Sequence, residues 1–125
     1  MAILAVYGAL RPGLPQNGEY LAGCPHHGTK RLKGFALHDA GGYPAAVPAL
    51  GEAITVDIFA VTDFHFEHID QLKGVPSFFR RIQTAAGFYL YVTAAGRVAH
   101  LPRVASGDWK RRDVSRETMG PTGIV

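Results

Sequence analysis

Glycine and proline divide this chain into short segments, and this limits its possible folds more than any other feature of the sequence. There are 15 glycines and 8 prolines among 125 residues. Both residue types destabilise helix interiors, so a helical bundle is a poor fit. The pattern favours short strands joined by many turns. The length suits one domain with a single core.

An alternating segment at residues 52–61 predicts the clearest strand of the chain. Ile54, Val56 and Ile58 fall on one face of such a strand, and Asp57 falls on the other. This alternation is typical of a strand that packs one face against a core.

The segment that follows, residues 63–73, predicts the main helix because its apolar residues keep helical spacing. Thr62 or Asp63 can cap its N-terminus, since a side-chain oxygen there satisfies a free N–H of the first turn. Gly74 is expected to end the helix.

The remaining segments predict short strands and turns. The apolar run at residues 2–7 indicates a buried strand, and residues 78–86 and 88–94 predict two more strands. Residues 97–104 predict a last strand, interrupted by proline, whereas the turn-rich residues 39–49 predict an extended surface segment or an edge strand. This order of elements predicts an α+β fold, a curled sheet or small mixed β-barrel with one main helix against it.

Composition narrows the class of protein further. No apolar stretch approaches the roughly 20 residues of a membrane span, and the N-terminus lacks the features of a signal peptide. Cys24 is the only cysteine, so no internal disulfide can form. We therefore expect a cytoplasmic protein without a membrane partner. The net charge of +3 is weak support for an anionic partner.

Four short motifs occur in a fixed order along the chain. They are VYGALRPG at 6–13, GGYPAAVPA at 41–49, IDQLKGVPSFFRR at 69–81 and SGDWKRR at 106–112. Together they resemble the gamma-glutamylcyclotransferase-like, or AIG2-like, superfamily, in particular its short members such as gamma-glutamylamine cyclotransferase. The resemblance implies a domain over residues 1–112, followed by a C-terminal tail.

The resemblance also implies a ligand pocket at the mouth of a small barrel. In the active members the turn after the first strand holds the ligand through backbone N–H groups, and glycine in that turn allows a close approach. A tyrosine on a later strand faces the pocket in many members. The predicted ligand-binding residues are Tyr7, Gly8, Ala9, Leu10, Arg11 and Tyr91.

The family's reaction raises a difficulty at Lys73. In the active enzymes a glutamate at the helix exit moves protons while a γ-glutamyl group cyclises to 5-oxoproline and releases an amine. This chain has Lys73 at that position, and Phe79 replaces a frequent tyrosine. A lysine with an ordinary pKa near 10.4 is protonated at pH 7 and cannot accept a proton. Lys73 is thus the predicted catalytic position, with three possible roles: a desolvated base, a cation that holds a ligand or ion partner, or a solvated side chain.

Another carboxylate could take over the role of the missing glutamate. Asp70 lies three residues before Lys73 on the predicted helix, so an Asp70–Lys73 pair is expected to be possible. Glu67 points in another direction on the helix, and the sequence cannot place Asp57 or Glu52.

Three functions stay open at this point. The first, slightly favoured, is an impaired or divergent member that binds a small anionic or γ-glutamyl ligand. The second is an active γ-glutamyl cyclotransferase with altered acid–base chemistry. The third, ranked last, is a nucleic-acid-binding module that uses Arg80-Arg81 and residues 110–112. No cofactor is predicted, and His65 and His68 have helical spacing but no third metal ligand nearby.

Overall fold

The computed structural model describes residues 2–112, and the predicted tail at 113–125 lies outside the described residues. Five strands, three helices and one 3₁₀ turn make up this part of the chain. In chain order they are β1 (Ala2–Val6), α1 (Pro15–Tyr20), β2 (His26–Asp39), β3 (Pro44–Val61), α2 (Asp63–Lys73), β4 (Arg80–Gln83), β5 (Tyr89–Val92), α3 (Ala95–Val98) and the 3₁₀ turn Trp109–Arg111.

The strands form one mixed sheet in the order β2-β3-β1-β5-β4. Strand β1 is central, antiparallel to β3 and parallel to β5. The α+β class is therefore confirmed. The sheet is curled but not closed, because β2 and β4 are its two edges, so the predicted barrel describes it only loosely.

Apolar residues cover both faces of the sheet. One cluster contains Leu4, Val6 and the two buried residues of α2, Phe66 and Ile69. The second cluster contains the predicted apolar face of β3 together with Trp109. No helix within residues 2–112 is long and apolar enough to cross a membrane.

Helix α2 has the predicted bounds. The Nδ1 atom of His65 accepts a hydrogen bond of 3.1 Å from the N–H of Thr62, which satisfies one donor at the helix start. Gly74 follows the last turn with φ 65°, a left-handed conformation that glycine adopts without a steric penalty. This termination fixes where Lys73 lies relative to the sheet.

The prediction of a surface segment at residues 39–49 is wrong, because this stretch contains the first part of β3. Ala45 and Ala46 are fully buried there. The Ala46 N–H donates to the Tyr7 hydroxyl, so it points away from β2. Pro44 and Pro48 share this direction, since directions alternate along a strand. Proline therefore removes no hydrogen bond from the β2–β3 ladder.

The prediction of a strand at residues 97–104 is also wrong. The chain makes the short helix α3, where Val98 is buried, and only Arg103 forms an isolated bridge, to His38. Pro102 has no N–H to donate to a ladder. Its carbonyl instead accepts from the Asp39 N–H at 2.8 Å, which ties the segment to the end of β2.

A matched pair of glycine substitutions tests how the closing segment packs. Gly107 has φ +71°, and an added Cβ would collide with the carbonyl oxygen of Ala53. We expect Gly107→Ala to lower the free energy of unfolding by about 2–4 kcal/mol, from backbone strain plus overpacking. Gly13 has φ +83° with open space around it, so Gly13→Ala should cost only about 1 kcal/mol. Equal losses in urea denaturation would contradict this packing.

Candidate functional site

A small pocket lies where the chain leaves β1. Its lining residues are Ala5, Val6, Tyr7, Gly8, Leu10, Lys73 and Tyr91. The free space that remains for a water-sized sphere is about 10 Å³, which is room for about one water molecule. Five of the seven residues predicted for the site from the sequence thus line one cavity.

The turn after β1 contains three consecutive backbone N–H groups without partners. Within residues 2–112, the N–H groups of Gly8, Ala9 and Leu10 make no hydrogen bond. Gly8 and Leu10 line the pocket, whereas the side chain of Ala9 does not. Successive free N–H groups in a turn form an anion-binding concavity.

Gly8 is required here by the packing of the turn. An added Cβ would lie 2.7 Å from Cγ of Pro44, a distance too short for two carbon atoms. The first motif therefore lies directly against the second, GGYPAAVPA. From the sequence, we expected Gly8 to allow a ligand to approach the backbone. In the structure, the group that approaches Gly8 is the ring of Pro44.

Tyr7 has a structural role in the pocket wall. Its hydroxyl donates to the carbonyl of Tyr91 at 2.8 Å and accepts from the Ala46 N–H at 3.2 Å. Burial raises the pKa of Tyr7 far above its ordinary value, so this hydroxyl stays protonated. Its hydrogen-bonding groups are used within the fold.

Arg11 does not line the pocket, although the sequence predicts it as a ligand-binding residue. The backbone N–H of Arg11 donates to the Gly8 carbonyl. Its guanidinium is buried and pairs with Asp57 and Asp108, both at 2.7 Å. Arg11 thus anchors the turn after β1 to Asp57 and Asp108. Sequence reasoning missed this pair of partners, although Arg11 and Asp108 both belong to the recognised motifs.

Lys73, the last residue of α2, extends into the pocket. Its Nζ lies 5.8 Å from the ring centroid of Tyr7 and 5.1 Å from that of Phe79. Such distances allow cation–π attraction. Burial lowers the pKa of the Lys73 ammonium from 10.5 to about 8. No carboxylate within residues 2–112 forms an ion pair with it.

The expected Asp70–Lys73 pair does not form. Asp70 accepts a hydrogen bond of 2.6 Å from the Tyr91 hydroxyl and pairs with Arg81 at 3.1 Å. Burial, with the hydrogen bond to Asp70, raises the pKa of Tyr91 far above its ordinary value. Asp70, which contacts the pocket-lining residue Tyr91, is therefore engaged by a tyrosine and an arginine.

Asp57 is occupied as well. Burial opposes its ionisation, but hydrogen bonds from Thr29, Arg11 and His26 outweigh that effect and lower the pKa of the Asp57 carboxyl below its ordinary value. Glu52 pairs with Arg103 at 3.0 Å on the surface. Neither carboxylate lines the pocket.

The two helix histidines contact other groups. The Nε2 atom of His65 lies 3.2 Å from the Cys24 sulfur, and the Nδ1 atom of His68 lies 2.9 Å from the Phe64 carbonyl oxygen. Within the part of the chain that the structure describes, no three His, Cys, Asp or Glu side chains group as metal ligands would.

The fold agrees with the comparisons to known proteins. The sequence profile of the family described as gamma-glutamyl cyclotransferase, AIG2-like, matches residues 4–111. The chain therefore belongs to the AIG2-like gamma-glutamyl cyclotransferase family. A search of curated proteins found no significant match.

Solved structures with similar folds come from bacteria, archaea and mammals. The protein ytfP from Escherichia coli is 29% identical with a TM-score of 0.68, covering 89% of this chain and 98% of that one. An AIG2-like protein from Mus musculus is 25% identical with a TM-score of 0.65, covering 82% and 85%. An uncharacterised protein from Pyrococcus horikoshii is 24% identical with a TM-score of 0.72, covering 96% and 99%.

The lowered pKa of Lys73 predicts a pH-dependent stability difference. Between pH 8 and 10.5 the unfolded chain binds more protons at this position than the folded protein does. The free energy of unfolding therefore rises with pH over that window. At pH 7, Lys73→Met should be more stable than the wild type by up to about 3 kcal/mol, and the gap should close towards pH 10.5. Urea denaturation across this range measures the gap.

Lys30→Met is the control for this experiment, because Lys30 lies on β2, is exposed and does not line the pocket. It should show no gap that closes with pH. A Lys73→Met variant that tracks the wild type at every pH would contradict the burial of the ammonium.

Proposed function

We propose that this family member binds the carboxylate of a small ligand in the pocket at the β1 turn and is impaired in γ-glutamyl cyclisation. One observation carries the proposal: the Lys73 ammonium extends into a pocket in whose lining, among the described residues, there is no carboxylate. A partly buried cation without a counter-ion favours binding of an anion.

The backbone supports the same ligand chemistry. The free N–H groups of Gly8 and Leu10 belong to the same lining as Lys73. Hydrogen bonds from N–H groups and an ammonium to a carboxylate are charge-assisted and stronger than neutral ones. The small free volume favours insertion of one compact group, such as a carboxylate, over a whole γ-glutamyl unit.

Two features support impaired catalysis. With a pKa of about 8, Lys73 is roughly nine-tenths protonated at pH 7 and a poor proton acceptor. The other candidate bases, Asp70 and Asp57, are held in hydrogen bonds outside the pocket lining. In the active enzymes that the chain resembles, the catalytic base is a glutamate at the position of Lys73.

An active cyclotransferase is the second candidate, and the pKa of Lys73 favours it to a limited extent. A pKa of about 8 leaves roughly a tenth of Lys73 neutral at pH 7. That fraction could remove a proton from the α-ammonium of a γ-glutamyl substrate and later return it to the leaving amine.

Anion binding is testable by calorimetry with glutarate and glutamate. Binding should be tightest below pH 8 and weaken by up to about tenfold per pH unit above the pKa, because the neutral amine loses its charge. Lys73→Met should abolish binding, and Lys30→Met should leave it unchanged. Binding that is insensitive to pH, or to Lys73→Met, would show that the ligand lies elsewhere.

Turnover separates the two candidate functions. We expect no 5-oxoproline from γ-glutamyl amino acids or γ-glutamylamines with the wild type, and measurable product with Lys73→Glu, because a carboxylate can accept the proton. Lys73→Gln has neither charge nor base and should stay inactive. Wild-type turnover that Lys73→Gln abolishes would establish the active enzyme instead.

A further inference from the structure

A second, larger cavity lies between the two edges of the curled sheet. Its volume is about 510 Å³, and it is formed by residues 31–35 of β2 and by residues 84–86 and Phe88 of the β4–β5 turn. Its walls are mainly apolar, with Phe35 buried and Phe88 partly exposed. A cavity of this size, with an apolar wall and a few polar groups, is typical of binding sites.

The backbone of β2 has free hydrogen-bonding groups along this groove. The N–H of Thr55 donates to the Gly107 carbonyl at 2.8 Å, so it points away from β2. Thr55 is paired with Arg31, and in such a pair both residues direct their N–H and C=O groups away from each other. Arg31 and, two residues on, Lys33 therefore present these groups to the open edge of the sheet.

A break in the pairing next to Lys33 ends this stretch of edge. Lys33 pairs with Ala53 whereas Phe35 pairs with Pro48, so Gly34, with φ 94°, lies opposite the four residues 49–52 of β3. An irregularity of this kind disrupts the ladder and bends the strand. Residues 31–33 thus form the part of the edge that faces the cavity with regular strand geometry.

Within residues 2–112, the groove carries positive charge without a counter-ion. In this part of the chain Arg31 donates to the Thr55 hydroxyl and the Ser106 carbonyl and to no carboxylate. The Lys33 ammonium has no hydrogen bond or ion pair within residues 2–112. None of the acidic residues that the structure describes lines the cavity. The groove is therefore complementary to negative charge.

We propose that this groove binds an extended, acidic peptide segment of a partner protein, which adds a strand beside β2. The peptide backbone pairs with the outward N–H and C=O groups of Arg31 and Lys33. Its carboxylates meet the side chains of these two residues, and its alternate apolar side chains cover Phe35 and Phe88. Strand addition of this kind takes affinity from the backbone and specificity from alternate side chains.

A second copy of the chain is a poorer occupant of this edge. Two β2 edges paired with each other would bring Arg31 and Lys33 of one copy close to the same cations of the other. Like charges across a strand pair are destabilising, and lysine on an edge strand is a known obstacle to self-pairing. The cations therefore select against self-association while attracting an acidic strand.

The experiment uses a fluorescein-labelled peptide of alternating glutamate and valine, and anisotropy as the measurement. We expect saturable binding that Lys33→Glu weakens by about tenfold, because charge reversal replaces attraction with repulsion. Lys30→Glu makes the same charge change on the same strand, but Lys30 lies outside the cavity lining and on the opposite face of β2 from Lys33, away from the peptide's glutamates, so it should have a clearly smaller effect. A peptide N-methylated at alternate amides, on the edge that faces β2, should not bind.

Three outcomes would overturn the proposal. Equal weakening by Lys33→Glu and Lys30→Glu would indicate general electrostatic attraction. Unchanged affinity of the N-methylated peptide would exclude backbone pairing. A concentration-dependent dimer in sedimentation, enhanced by Lys33→Glu and competing with the peptide, would assign the edge to a second copy. Because Lys73 lies in the other pocket, these outcomes are independent of anion binding there.

Discussion

The buried ion network around Arg11 determines how the rest of the structure can be arranged. Asp57 and Asp108 both lie 2.7 Å from the guanidinium, and Asp57 also accepts from Thr29 and His26. Removing one partner of a buried pair costs about 3–5 kcal/mol, since the other charge is left uncompensated. One arginine thereby fixes the β1 turn against β2, β3 and the closing segment, and the free N–H groups of that turn are held in place.

This anchoring is separate from the charge inside the pocket. The cation that holds the turn is Arg11, which lies outside the pocket lining, and the cation inside it is Lys73. The contacts that anchor the turn therefore do not involve the residue at the helix exit. Burial of Lys73 opposes its charge, and the rings of Tyr7 and Phe79 partly compensate through cation–π attraction. The result is a pocket whose charge depends on pH near neutrality.

The sequence was sufficient for helix α2 and for the motifs, but not for the segment at 97–104 or for pairings between distant residues. Helix α2 could be predicted because Thr62 and Gly74 mark its ends by local chemistry. The burial of Ala45 and Ala46 could not, because only the strand register shows that the neighbouring prolines point away from β2. Arg11 and Asp108 are separated by 97 residues, and no local pattern joins them.

The contact between Gly8 and Pro44 has a consequence for how this family can vary. A side chain at position 8 has no room unless the proline ring opposite it is replaced by something smaller. Descendants of this chain can therefore change the two positions together but not Gly8 alone, and a substitution at one should be accompanied by a substitution at the other. Such linked variation would show that the two motifs are in contact in related proteins whose structures are not known.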